Sequence, residues 1–193
     1  MSEEESTAPD FAMLRAVEIL AGIYEREQQR FDLPPPMERP LLLFNEAIGL
    51  DVATTTRLAV QRALGIAFAY PAAGWHTYCV RGAHHSREFL SLFYSDDRLA
   101  SAELYIPKSE RAPRLEPRDL GRFRFVPGEI AIGMPTSSLP ASFGRVSALA
   151  EELGTYSESF QARFPGGAAY AMGNEGTIER LAIYVMPGET AAT

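Results

Sequence analysis

A pattern that occurs twice constrains this chain more than any other feature. Leu64-Gly65 returns 79 residues later as Phe143-Gly144, and FYSDDRLASAELYI, from Phe93 to Ile106, returns at the same offset as MGNEGTIERLAIYV, from Met172 to Val185. In each copy a polar turn, Ser95-Asp96-Asp97 or Asn174-Glu175-Gly176, leads into an alternating strand that closes on Leu104-Tyr105-Ile106 or Ile183-Tyr184-Val185. Upstream, Ala47-Ile48-Gly49-Leu50 resembles Ala131-Ile132-Gly133-Met134 at an offset of 84, which requires a gap of five residues. Repetition of this length points to a duplicated supersecondary unit whose copies share or abut a core.

Residues 1–9 are acidic and polar and are expected to form a loose tail. In residues 10–36, Phe11, Leu14, Val17, Leu20, Ala21 and Tyr24 recur at helical spacing, and Pro34-Pro35-Pro36 closes the segment as a linker. The first unit spans 40–107. Pro40 to Phe44 is a short strand or mixed structure, and Thr54-Thr55-Thr56 caps a helix from Arg57 to Leu64 that Gly65 stops. Three alternating strands follow, Trp75 to Val80, Glu88 to Tyr94 and Arg98 to Ile106. Residues 108–127 mix Lys108, Arg111, Arg114, Arg118, Arg122 and Arg124 with Glu110, Glu116 and Asp119, which describes a solvated linker or an anion-binding strip. The second unit, 128–187, repeats the strand order with Ser157 to Phe164, Ala168 to Met172 and Thr177 to Val185; Pro135 and Pro140 shorten any helix before them. The expected fold is α+β, an N-terminal helix followed by two related helix-plus-antiparallel-sheet units.

Composition acts mainly by exclusion. An apolar fraction of 46% suffices for a packed core, while a formal charge of −7 opposes broad attraction to nucleic acid or anionic lipid. The single Cys79 forms no internal disulfide, and the start lacks a basic region followed by an apolar stretch. A cytoplasmic protein with no nucleic-acid or membrane partner is therefore expected.

The densest reactive set is Trp75, His76, Tyr78 and Cys79, with His84 and His85 after it. On a strand, Trp75, Thr77 and Cys79 face one side and His76, Tyr78 and Val80 the other, so no nucleophile is aimed at a base. Adjacent His84 and His85 diverge on an extended chain and lack companion ligands at metal-binding spacing. No catalytic residue, metal or cofactor is assigned. Aromatic side chains are the better clue to a binding surface: a sheet covered by a helix on one face leaves Trp75 or Tyr78, with Tyr94, Tyr105, Tyr170 or Tyr184, for a partner on the other, unless the two sheets pack together and bury most of these rings.

Gly49-Leu50, Thr54-Thr55-Thr56-Arg57, Val60, Leu64-Gly65, Trp75, Tyr78 and the turn Ser95-Asp96-Asp97 before Leu99 carry a resemblance. Over residues 48–106 the chain resembles the tandem helix-plus-sheet module of the β-lactamase inhibitor protein and the small outer-membrane assembly lipoproteins. That resemblance implies a noncatalytic protein that binds other proteins through a sheet face and loops. The family's signal peptide and lipid-attachment cysteine are not read near the start of the sequence, so an envelope role is not expected. The function expected is a protein-interaction module, an adaptor, assembly factor or inhibitor, with Trp75, His76, Tyr78, His84, His85, Tyr94 and Tyr105 as binding residues. The alternative is a small-molecule-binding or hydrolytic protein with a pocket around Trp75, His76, Tyr78 and His85. A third reading is a homo-oligomer joined through the N-terminal helix.

Overall fold

A computed structural model describes residues 33–52, 54–69, 75–82, 85, 87–107, 115–146 and 156–185. The acidic tail and almost all of the expected N-terminal helix lie outside these residues. The fold class expected above is corrected: the described chain is mostly antiparallel β-sheet with one α-helix, and it does not form two helix-plus-sheet units.

The described residues form eleven strands in chain order: β1 (Leu42–Phe44), β2 (Gly49–Leu50), β3 (Phe68–Ala69), β4 (Trp75–Val80), β5 (Glu88–Ser95), β6 (Arg98–Tyr105), β7 (Arg124–Val126), β8 (Gly144–Arg145), β9 (Glu158–Phe164), β10 (Gly167–Asn174) and β11 (Thr177–Val185). Eight of them form one sheet in the order β3-β4-β5-β6-β11-β10-β9-β8. Two four-stranded meanders thus join through their last strands.

The 79-residue repeat is written into the hydrogen-bond register. At the join, Glu103 pairs with Ala182, its own counterpart 79 residues on, so Ala102 meets Ile183 and Leu104 meets Leu181 symmetrically about that pair. Both hairpins bulge at matching places, between Phe93 and Tyr94 and between Met172 and Gly173. Both then turn through two residues of positive φ, Asp96-Asp97 and Glu175-Gly176, which suits a two-residue hairpin in a right-twisted sheet. Equivalent backbone bonds lead in, from Leu99 N to Thr55 O at 2.8 Å and from Ile178 N to Met134 O at 2.9 Å. The meanders are related by an approximate twofold axis through the β6–β11 pair.

The two meanders also differ in length at one place, which is not where the sequence comparison put its gap. Tyr78 pairs with Leu90, while Ala162, 84 residues beyond Tyr78, pairs with Ala169, 79 beyond Leu90. The first meander therefore carries five extra residues between β4 and β5, where His84 and His85 fall. Residues 47–50, in contrast, are not the structural match of 131–134. Gly49–Leu50 is a strand, whereas Gly133 lies in a turn and donates its amide to Ile178 O.

The two copies diverge after matching bridges at Thr56–Arg98 and Pro135–Thr177. In the first, Thr56 accepts a hydrogen bond from Ala59 N and caps helix α1 (Arg57–Leu64), which ends at Gly65 with φ 82°. In the second, Pro135 and Pro140 bracket a short 3₁₀ turn at Thr136–Ser138, because the second proline has no amide to donate to a longer helix. A small sheet ordered β2-β1-β7 lies over the same side of the main sheet as α1. Its central pairing, Leu43 with Phe125, repeats the twofold arrangement: Leu43 also pairs with Leu50, and Phe125 bridges Ile130. Part of the expected linker thus belongs to the fold, since Arg118 bridges Val80 and Arg124–Val126 is a strand. Among the described residues no helix is long and apolar enough to cross a membrane.

Candidate functional site

Strand alternation gives the main sheet two faces of different chemistry. One face presents Tyr78, Leu90, Leu104, Leu181, Ala169 and Ala162, and packs against Leu43, Leu50 and Phe125 of the small sheet and Val60 and Leu64 of α1. The opposite face carries a polar row across six strands: Thr77, Ser91, Glu103, Ala182, Tyr170 and Gln161, each paired with the next. Every residue in that row is buried.

Most of the polar row finds its hydrogen bonds within the sheet, although Gln161 Oε1 has no partner among the described residues. Thr77 Oγ1 and Ser91 Oγ are 3.0 Å apart, and Gln161 Nε2 donates to the Tyr170 hydroxyl at 3.0 Å. At the twofold axis, Glu103 accepts from Arg180 Nη2 on one carboxylate oxygen and from the Tyr184 hydroxyl on the other. Both donors come from β11, so this ion pair ties the first meander to the second. Burial and the neighbouring carboxylate raise the Tyr184 hydroxyl well above its usual range. Burial alone would lower the Arg180 pKa, but Glu103 and Tyr184 beside it hold it raised. The group is a cross-link between two halves with its charges neutralised in place.

The residues expected to bind are divided between the faces. Trp75 and Tyr105 lie on the polar face, where Trp75 is only 6% exposed and tilts against Phe93 at 5.5 Å. His76, Tyr78 and Tyr94 lie on the other side. The His76 ring meets the edge of Tyr94 at 5.3 Å, and Arg57 stacks over Tyr94 at 5.0 Å while pairing with Asp97 at 3.2 Å. Burial, and secondarily Arg57, lower the His76 pKa. The Tyr78 hydroxyl donates to Gly65 O at 2.7 Å, so its polar end is engaged in holding the exit of α1. His85 is exposed in the loop, with its carbonyl accepting from Gly82 N at 3.1 Å; His84 lies outside the described residues. Among the described residues, the sheet thus separates Trp75 and Tyr105 from His76, Tyr78 and Tyr94, and Trp75, Tyr78 and Tyr94 are buried.

Glu103, Arg180, Tyr184 and Gln161 were not legible as a cluster. Their strands alternate apolar with polar residues, a pattern that ordinarily marks a water-facing side.

Open space is found at the outer edge of β4. Phe68 pairs with Thr77 there, and farther along Arg118 N donates to Cys79 O at 2.9 Å. Between these two contacts is a notch of about 110 Å³, lined by Ile66, Tyr78, Cys79, Leu115 and Arg118, among others. Ile66 is 85% exposed, and Leu58 on α1 is 51% exposed. Cys79 is buried, and among the described residues no three His, Cys, Asp or Glu side chains gather where a metal ion would be held. Comparison with protein-family models, curated proteins and solved structures finds no match.

Proposed function

We propose that the protein is a noncatalytic protein-interaction module, acting as an adaptor, assembly factor or inhibitor. The observation that supports this most is Ile66, a large aliphatic side chain left exposed beside an open notch at a sheet edge. Scattered apolar residues on a surface are ordinary, but one adjoining a recess supplies the anchor-and-pocket geometry of recognition sites. The dispersal of histidine, cysteine and tyrosine over two faces supports the noncatalytic part, because nucleophile, base and orienting group must meet within hydrogen-bond reach. The resemblance of residues 48–106 to a module that binds proteins supports the same direction. Here the surface is the α1–β4 edge in place of the aromatic face.

Affinity capture of the tagged protein from its own host tests this, with wild type compared against a Leu58→Ser, Ile66→Ser double variant of unchanged circular dichroism. A stoichiometric protein that the variant fails to retain is expected. Wild type emerging without a protein partner but with a bound small molecule contradicts it.

A further inference from the structure

We infer that the polar face of the main sheet is a docking surface for the chain's own residues 10–32, which lie across it with their apolar side chains turned inward. The face itself calls for a cover. Side chains stand roughly perpendicular to a sheet, so a face left to water exposes their tips. Here the whole polar row, one residue from each of six adjacent strands, is buried. Ser101 Oγ, Ser159 Oγ and Gln161 Oε1 on that face are themselves shut off from solvent.

The described residues supply only one end of the cover. Leu33, Val146 and Tyr156 pack with Tyr170, Met172 and Tyr184 of β10 and β11. Over β4 and β5 the described contacts run sideways within the face: Trp75 against Phe93, Thr77 with Ser91, and Phe89 edge-on to Tyr105. Sideways contacts leave tips open, yet Trp75, Thr77 and Ser91 are buried.

Length and composition select the cover among the segments outside the described residues. Residues 147–155 are pinned at both ends, by Val146 N on Ser159 O of β9 and Ser157 N on Gly173 O of β10. A path from β9 out to β4 and back to β10 crosses nine strand spacings, roughly 43 Å, whereas the eleven steps from Val146 to Ser157 extend to about 37 Å. Residues 108–114 carry no large apolar side chain, and residues 186–193 carry one, Met186. Connections as short as 70–74 cannot fold back along the row.

Residues 10–32 meet both requirements. Phe11, Leu14, Val17, Leu20, Ala21 and Tyr24 fall on one side at three- and four-residue spacing, with Arg15 and Arg26 opposite. Even at the compact rise of about 1.5 Å per residue, residues 10–31 reach about 33 Å, against roughly 24 Å from β9 to β4. The chain also emerges at the right place. Immediately after this segment Leu33 sits on the polar face, Pro34 O accepts from Arg163 Nη2 at 3.2 Å, and Met37 N donates to Arg163 O at 2.8 Å, fixing the exit to β9.

Photo-cross-linking of the full chain tests the inference, with Leu20→p-benzoylphenylalanine irradiated in an equal mixture of isotopically light and heavy protein. Links within one chain to polar-face positions of β5, β6, β11 or β10 are expected. Links that join light to heavy chains place the segment on a second copy, and links elsewhere or none at all remove it from this face; either result overturns the inference. Trp75, the chain's one tryptophan, reports the same cover independently. Its quenching by acrylamide is expected to rise several-fold in Val17→Ser, Leu20→Ser and to stay at the wild-type level in Arg15→Gln, Arg26→Gln, with far-ultraviolet circular dichroism unchanged in both. Equal quenching in all three proteins overturns the inference, and cross-linking decides where the serine variant loses its strand signal.

Discussion

Glu103 and Glu88 are both buried carboxylates on neighbouring strands of one sheet, yet the two faces treat them differently. Glu103 lies on the polar face and is held by Arg180 and Tyr184. Glu88 belongs by alternation to the apolar side, opposite Val80, and its carboxyl group rests against Gly82. Among the described residues it has no hydrogen-bond partner; burial raises its pKa to about 7, with Arg122 only partly opposing the shift. A charge taken from water is tolerated where the fold supplies an ion pair and hydrogen bonds, and otherwise becomes a proton-binding site. The apolar face gains stability by displacing water, and the polar face fixes which strands meet at the centre of the sheet.

The sharpest way to break this contrast is at adjacent positions of β6. Glu103→Ala leaves Arg180 buried without its counter-charge and is expected to cost about 3–5 kcal/mol, measured by denaturant unfolding. Leu104→Ala removes packing from the other face and is expected to cost about 2–5 kcal/mol, with a cavity in place of a stranded charge. Replacing Glu103 and Arg180 together by leucine or methionine separates the two mechanisms. Much of the loss should disappear, because apolar side chains of similar volume suit a buried pair's site.

Glu88 sharpens the comparison through pH. Its folded pKa, about 7, stands above the ordinary carboxylate value of 4.5, so the folded state binds the proton more tightly. The favourable contribution is complete below about pH 4.5 and is lost as pH rises through about 7, where burying an ionised carboxylate costs roughly 2–3 kcal/mol. Wild-type stability relative to Glu88→Gln should therefore fall across that interval. Equal pH dependence in the two proteins would remove Glu88 as its source.

A smaller effect distinguishes the meanders. Thr56→Ala removes the cap of α1 and is expected to cost about 1 kcal/mol, whereas Ser138→Ala in the 3₁₀ turn of the second meander should change stability by less than about 0.5 kcal/mol.

The strands were legible because alternation and turn chemistry are local. Trp75 to Val80 and Thr177 to Val185 keep their expected limits, and the other four alternating strands end within two residues of theirs. Helix α1 also has its expected span, since Thr56 and Gly65 mark both ends chemically. The expectation of a second helix failed because equivalence along the repeat does not override the prolines at 135 and 140. Burial on the polar face was not legible either. Nothing local to Ala102-Glu103-Leu104 indicates whether the glutamate meets water or Arg180, a residue 77 positions away. The same holds for the candidate site: the exposure of an aromatic ring depends on tertiary packing, and Ile66, in a short connection, carries no motif.

A double-mutant cycle between Glu103 and Arg180 tests the central join directly, using Glu103→Ala, Arg180→Ala and the double variant in equilibrium unfolding. The expected result is a coupling energy above about 1 kcal/mol, with the double variant losing less than the sum of the single losses. Additivity within about 0.5 kcal/mol would mean that the two side chains do not interact, and would contradict a sheet whose halves meet at β6 and β11.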